Sequence, residues 1–412
     1  MILRAAWVVP VSSPPIRDGF VEIADGWITA VGSAAEGLPS DEALDLGESI
    51  LTPGLVNPHT HLELTCYAGQ IAAAPFWDWI AQLIPLRAAP RQVQRESAGV
   101  RDGAWQSLRL GVTCVGDISR RNLHWRVLRD IPIRKICFAE LLSIADDPPR
   151  NVEELRAAFD EIREDALLTA GITPHAPYTV PPEQIRGAVQ IAAQRKRPWT
   201  MHWAETREEQ AFLRGDQAGA GRILNQLVSN GRLASPRREP RELLAECVRG
   251  FAPGLLAHVN YASDADIAAL RDAGHTVVYC PRAHRYFGHP PHPMDRLVQA
   301  GVPVVIGTDS AASNENLSVL AELQFLRRER LTDQSPAALL RSVTVDAARA
   351  LGLAAVTGAI KPGLAADLAA FPVVGDDPTA VLVESAPLPS HVWVAGKQVL
   401  GGQTGSCDSR GG

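Results

Sequence analysis

Between residues 55 and 357, short β-branched apolar runs alternate with polar turns and longer stretches of helical period. A short apolar run bounded by turn residues reads as a buried strand; apolar residues recurring every three or four positions read as an amphipathic helix. Strands are predicted over 55–61 (LVNPHTH), 112–117 (VTCVGD), 134–140 (RKICFAE), 171–175 (GITPH), 198–203 (PWTMHW), 254–259 (GLLAHV), 276–281 (TVVYCP) and 303–309 (PVVIGTD). Helices are predicted over 92–109, 152–164, 182–195, 206–228, 264–273 and 315–330, with Ser263 or Asp264 set to cap the helix over 264–273. Strand and helix in regular alternation imply parallel strands with crossover helices, and eight such units match the α/β class of the (β/α)8 TIM barrel. A doubly wound open sheet would call for a glycine-rich phosphate loop after an early strand, and the chain has none.

The two ends differ from this pattern. Residues 1–54 ("GFVEIADGWITAVGS") and 358–412 ("GAIKPGLAADLAAF", "HVWVAGKQVLGG") carry short strand-like runs punctuated by Gly, Asp and Pro, expected to build one small β-sandwich from both termini. The stretch 229–241 reads as a surface loop, and "GGQTGSCDSRGG" as a loose tail.

Composition narrows the partners. In 412 residues, 40 basic side chains against 46 acidic ones give a net charge of −6 with no basic arm, so nucleic acid is not an expected partner. No apolar run spans a bilayer and the first residues lack a secretory pattern, so the expected location is the cytoplasm. The six cysteines contain no CxxC pair, which argues against a disulfide framework and a cysteine-ligated metal.

Candidate chemistry appears where the strands end. His59 and His61, Asp117, Glu140, His175, His202, His258 and Asp309 fall at the carboxyl ends of the predicted strands, where pure packing would favour apolar residues. Each histidine taken singly reads equally well as a hydrogen-bonded core residue. Together, His59, His61, His202 and Asp309 supply the imidazole and carboxylate donors that suit Zn2+ or Fe2+, and His59 and His61, two apart on a strand, share a face. Glu205, three residues past His202, is placed to shuttle a proton, though it also fits a helix N-terminus, a role open to Glu208 and Glu209. His258 beside Asp309 could orient or deprotonate a water.

The motifs "TPGLVNPHTHLE", "GVTCVGD", "HAPYTV", "HWAET", "LAHVNYAS", "CPRAH" and "GTDSAASNENLSVLAEL" resemble those of the amidohydrolase superfamily, in its cytosine deaminase and chlorohydrolase-like branch. The resemblance implies a mononuclear enzyme with one Zn2+ or Fe2+ on His59, His61, His202 and Asp309, Glu205 as proton shuttle, His258 as the group that activates water, and His175 in contact with substrate. It also disfavours a two-metal relative bridged by a carbamylated lysine, because His175 stands at the end of the fourth strand with no lysine near. Members are commonly dimers, so a homodimer is possible.

The expected reaction is hydrolytic deamination of a small heteroaromatic substrate. Arg87 and Arg282 offer bidentate contacts to an anion, with His284 near the second. The stretches "CPRAHRYFGH" and "GTDSAASNENLSVL" resemble those of aminodeoxyfutalosine deaminases of menaquinone biosynthesis, and that resemblance implies aminodeoxyfutalosine, which carries a benzoate, as lead substrate. Arg87 reads equally as a solvated helix-end residue. Trp79, with Phe76, Trp77, Tyr178 and Phe287, could stack on a ring. The alternatives are a triazine-type chlorohydrolase or aminohydrolase and a catalytically silent scaffold.

Overall fold

All eight predicted strands form, at Leu55–Thr60, Val112–Ser119, Arg134–Leu141, Leu168–Pro174, Thr200–Trp203, Leu255–His258, Thr276–Tyr279 and Val304–Ile306. They are seen in a computed structural model that describes residues 1–37, 42–144, 146–147, 149–373 and 375–401. The strands are parallel and pair in sequence order as two four-stranded sheets. Parallel bridges between Ile172 and Trp199 and between Thr60 and Asp309 join the two sheets at both edges. The first three strands are buried along their whole length, as expected when helices cover one face and side chains fill the other. Helices Gln92–Arg109, Val152–Glu161 and Pro182–Arg195 pack on the second, third and fourth strands.

The two termini meet in one eight-stranded sheet. Its path runs Lys397–Leu400, His391–Val394, Leu368–Phe371, Ile50–Pro53, Ile2–Val8, Ile16–Ala24, Trp27–Ser33, with Ala43–Asp45 also on Ile2–Val8. Leu3, Val8, Val21, Ile28, Leu51, Leu368 and Trp393 form its core. Gly54 turns the chain from this sheet into the first parallel strand; a Cβ there would lie 2.0 Å from Thr113 Oγ1, so only glycine passes. A buried bidentate pair, Arg134 Nε to Asp367 Oδ2 at 2.7 Å and Nη2 to Oδ1 at 3.1 Å, ties the third strand to the terminal sheet.

Some expected helices change shape. The run 206–228 divides into Arg207–Arg214 and Gly221–Ser229, because Gly215 takes a left-handed φ of 84° and closes the first. The run 315–330 shortens to Val319–Arg328, whose first turn Ser318 caps. Helix Asp264–Ala273 carries the full capping box between Ser263 and Asp266. The stretch Phe76–Arg87 is helical, with Trp79 and Leu83 buried. Residues 230–239 connect two helices without regular structure. Cys66, Cys114, Cys137, Cys247 and Cys280 are free thiols, and Cys407 and the tail from residue 402 lie outside the described residues. Among the described residues no helix is long and apolar enough to cross a membrane.

Candidate active site

The first parallel strand delivers His59 and His61 to one place. Donor atoms of His59, His61 and His202 lie within 4.8 Å of one another, and so do those of His59, His258 and Asp309. His61 Nε2 is 3.2 Å from His202 Nε2. Asp309 Oδ1 stands 4.0 Å from His59 Nε2 and 3.8 Å from His61 Nε2. The eighth strand is held against the first at this point: Thr60 Oγ1 and the His61 N–H both donate to the Asp309 carbonyl, at 2.8 and 3.1 Å.

The surroundings fix how each donor faces. His202 donates from Nδ1 to the His175 carbonyl at 2.9 Å, which leaves the Nε2 lone pair pointing at the cluster. Ser313 Oγ donates to Asp309 Oδ2 at 2.8 Å, turning the other oxygen inward. His59 is 1% exposed, and neither of its ring nitrogens has a hydrogen-bond partner among the described residues. Leaving such a group unmet costs ~1–3 kcal/mol, so a ligand at this point is expected on energetic grounds. Three imidazoles and a carboxylate are the donor set of a divalent metal, and the orphaned His59 fits that group. Burial, with His202, His61 and His258 adding to it, lowers the His59 pKa well below the usual value, which keeps the ring neutral and able to ligate. Burial works against protonation of His61 too, but Glu63 and Asp309 overcome it and push that pKa up to about 9.

Glu205 and His258 sit beside the cluster, with His258 Nε2 3.5 Å from Glu205 Oε1. Burial, reinforced by Asp309 and Glu209, raises the Glu205 pKa well above the carboxylate range, so it can hold a proton at neutral pH and give it up. Its backbone is clamped from both sides. Glu209 accepts the Ala204 and Glu205 N–H groups at 3.0 and 2.8 Å, and Asn260 Nδ2 donates to the Glu205 carbonyl at 3.0 Å. Ala204, His258, Val259 and Asp309 all have positive φ, from 51° to 73°. Left-handed backbone at non-glycine residues is costly and persists only where the surroundings hold it; here it turns three strand ends toward one point.

The cavity over this cluster is lined by His61, His175, His202, Glu205, His258 and Asp309, together with Glu63, Arg87, Arg120, Glu140 and the apolar Leu64, Phe76, Trp79, Ile80, Leu83 and Phe287. His175 and Trp79, expected from sequence as substrate contacts, therefore face it. Trp77 and Tyr178 do not line it. Arg87 does, but its guanidinium is taken up by Glu63 at 2.7 Å and Glu96 at 2.9 Å, so the solvated helix-end reading is also excluded. Arg282 and His284 are corrections. Arg282 is bound by Glu322 at 2.9 Å and by Asn316, away from this cavity. His284 faces Asn260 Oδ1 at 3.0 Å and the Pro290 carbonyl at 2.8 Å. Both turn from the cavity because a better partner, distant in sequence, lies behind them. Sequence reasoning missed Glu63, Ser313, Asn260 and Arg120. The only available signal was position, since Glu63 follows His61 by two and Ser313 follows Asp309 by four.

Donor atoms of this kind at the carboxyl ends of parallel strands define a class, the hydrolases that work with a bound divalent metal. The model of the amidohydrolase family matches residues 50–399, and the chain belongs to that family. It is similar to a 5-methylthioadenosine/S-adenosylhomocysteine deaminase of Desulforamulus reducens, 27% identical over 386 residues that cover 89% of this chain and 84% of the relative. Among solved structures it is similar to a zinc-bound adenosine deaminase from Xanthomonas campestris, with 25% identity, TM-score 0.83, and coverage of 97% of this chain and 92% of that one. The aminofutalosine deaminase of Helicobacter pylori in complex with methylthio-coformycin shares the fold, with TM-score 0.85, 21% identity, and coverage of 97% and 100%. The fold is thus TIM-barrel-like, and the protein is a metal-dependent amidohydrolase.

Proposed function

We propose that this amidohydrolase removes an amino group from a purine-type ring by hydrolysis, with adenosine-type nucleosides as the substrate class and one Zn2+ or Fe2+ per chain. The observation that carries the reading is His59, buried with both ring nitrogens unmet, beside His61, His202 and Asp309 and next to the Glu205–His258 pair. Residues 55–357 are proposed as the catalytic barrel, closed through the Thr60–Asp309 and Ile172–Trp199 bridges, and residues 1–54 with 358–412 as a composite sandwich.

His59, His61, His202 and Asp309 would hold the metal, which would supply Lewis acidity and activate water near neutral pH. Glu205 takes one proton from the attacking water and delivers it to the ring nitrogen, then takes the second from the hydroxyl now on the ring carbon and passes it to the amine, which leaves as ammonia when the C–N bond breaks. Its raised pKa suits both directions of transfer. His258, 3.5 Å from Glu205, orients the water and shares the proton. Phe76, Trp79 and Phe287 form the apolar slot for the ring and exclude bulk water. The benzoate of aminodeoxyfutalosine loses its main support, since Arg87 is paired and Arg282 lies elsewhere. It stays in the test panel.

The test is ammonia release by metal-quantified protein against adenosine, methylthioadenosine, adenosylhomocysteine, aminodeoxyfutalosine, guanine and a chlorotriazine. Release from an adenosine-type nucleoside with about one metal per chain is the expected result. Chloride release from the triazine alone would move the reaction to dechlorination, and absence of both metal and turnover would return the chain to a scaffold.

A further inference from the structure

The stretch "CPRAHRYFGHPPHP", residues 280–293, lies largely outside the cavity, yet its three histidines all reach one turn. That turn, residues 258–261, follows the sixth parallel strand, and His258 and Val259 enter it with φ of 73° and 55°. Two successive non-glycine residues in the left-handed region, one of them β-branched, stay there only where their surroundings hold them. His292 Nε2 donates to the His258 carbonyl at 2.8 Å. His284 Nδ1 stands 3.0 Å from Asn260 Oδ1, and His289 Nδ1 stands 3.0 Å from the Tyr261 hydroxyl oxygen. We infer that residues 284–292 form a clip on this turn, and that His292 is the positioning residue that keeps His258 aimed at Glu205, 3.5 Å away.

The local chemistry carries each part of the clip. His289 and His292 both precede a proline, with Pro291 between them, so the segment has few backbone conformations to lose and presents its rings from a stiff frame. The His292 ring stacks on Tyr279 with centroids 3.7 Å apart and planes 9° apart, which fixes its direction. A carbonyl only accepts, so the hydrogen of His292 sits on Nε2. Its Nδ1 is buried without a partner among the described residues, a cost that an apolar ring in the same place would avoid. Packing therefore does not account for the imidazole, and the donor does. Burial pushes the His292 pKa down to about 3, so the ring keeps that one neutral form. Across the turn, Asn260 Nδ2 donates to the Glu205 carbonyl, so the clip supports both members of the His258–Glu205 pair. His292 does not line the cavity and acts through His258. Its effect on turnover rests on the proposed deaminase reading.

The experiment compares His292→Phe, which keeps a ring to stack on Tyr279 but has no donor, with His292→Gln, whose amide can donate in the place of Nε2 without the stack. Ammonia release from adenosine, methylthioadenosine and adenosylhomocysteine is measured with metal content per chain. The Phe variant is expected to lower kcat roughly 100-fold, the loss that a displacement of about 1 Å can cause, with KM and metal content unchanged. The Gln variant should recover most of that loss. A role in packing alone predicts the reverse order, so a Phe variant equal to or better than the Gln variant overturns the assignment, as does loss of metal in step with activity. If the wild type releases ammonia from none of the three, the deaminase reading fails on its own, and crystal structures of the two variants decide the clip. His258 turned from Glu205 in the Phe variant and in place in the Gln variant keeps His292 as the positioning residue; His258 unmoved in the Phe variant removes it.

Discussion

Two clusters of histidine and carboxylate lie near one another at the strand ends, and by atom type they are alike. In one, His59, His61 and His202, with Asp309, bring their donor atoms together; in the other, Glu63, Asp117 and His124 do the same within 4.8 Å. Their hydrogen bonds separate them. Asp117 Oδ2 lies 2.7 Å from His124 Nδ1, Asp117 Oδ1 accepts the Leu62 N–H at 3.1 Å, and Glu63 is paired with Arg87. That cluster has its own cation in Arg87 and, among the described residues, leaves only Glu63 Oε2 unmet. In the first, among the described residues, no lysine or arginine pairs with Asp309, and His59 is left with both nitrogens unmet. Nearness of ligand-type atoms therefore does not identify a metal site. The unmet ones do.

The comparison is most severely tested at Glu205, which belongs to the first cluster's chemistry without belonging to its proposed ligand set. Glu205→Gln should keep about one metal per chain and lower kcat by ~10²- to 10⁴-fold in an ammonia assay; loss of metal together with activity would make it structural. Next, Asp117→Asn should leave metal content unchanged and cost about 3 kcal/mol in urea unfolding, because it strands His124 in a buried pair. His59→Ala should do the reverse, emptying the metal site with less damage to stability. If Asp117→Asn instead strips the metal, the two clusters are one site. A smaller effect is expected from Ser313→Ala, which frees Asp309 to rotate. Metal affinity, read by competition with a chelator, should fall roughly 10- to 100-fold.

The smallest effect is a difference of sign in the pH dependence of the metal-free protein. Burial opposes protonation of His124, but Asp117 outweighs it and raises the folded pKa. The stability His124 contributes is present below its unfolded value of ~6.5 and is lost as pH rises through the folded value. His59 is shifted the other way by burial, so it contributes a loss of stability as pH falls below ~6.5. Urea unfolding between pH 5 and 9 should show His124→Gln removing a falling slope and His59→Gln a rising one, each at most about 1.4 kcal/mol per pH unit for a single proton. Equal slopes would erase the distinction between the clusters.

Much of this arrangement was legible in the chain itself. Helices 92–109, 182–195 and 264–273 form over the residues expected, since their apolar period is local and Ser263 caps the third. The six residues His59, His61, His202, Glu205, His258 and Asp309 meet because parallel strands in sequence order bring their carboxyl ends to one side. The break at Gly215 and the short helix after Ser318 were missed because hydrophobic period carries across a turn that a backbone angle interrupts. Arg87, Arg282 and His284 were misjudged for a different reason. A positive or aromatic side chain advertises binding capacity in sequence, but not whether Glu63, Glu322 or Asn260 will already have used it.

The order of apolar runs determined the strands, their direction and the end at which polar residues gather, because burial and backbone geometry act over a few neighbouring residues. The donor types at those ends determined the class of chemistry. Only the tertiary structure decided which of these groups are spent and which are free: Arg87 meets Glu63 across 24 residues and Arg282 meets Glu322 across 40. Glu140 finds no such partner among the described residues. Charge pairing depends on distance through space, which local periodicity does not encode, so the unmet His59 and Glu140 became visible only once the chain was folded.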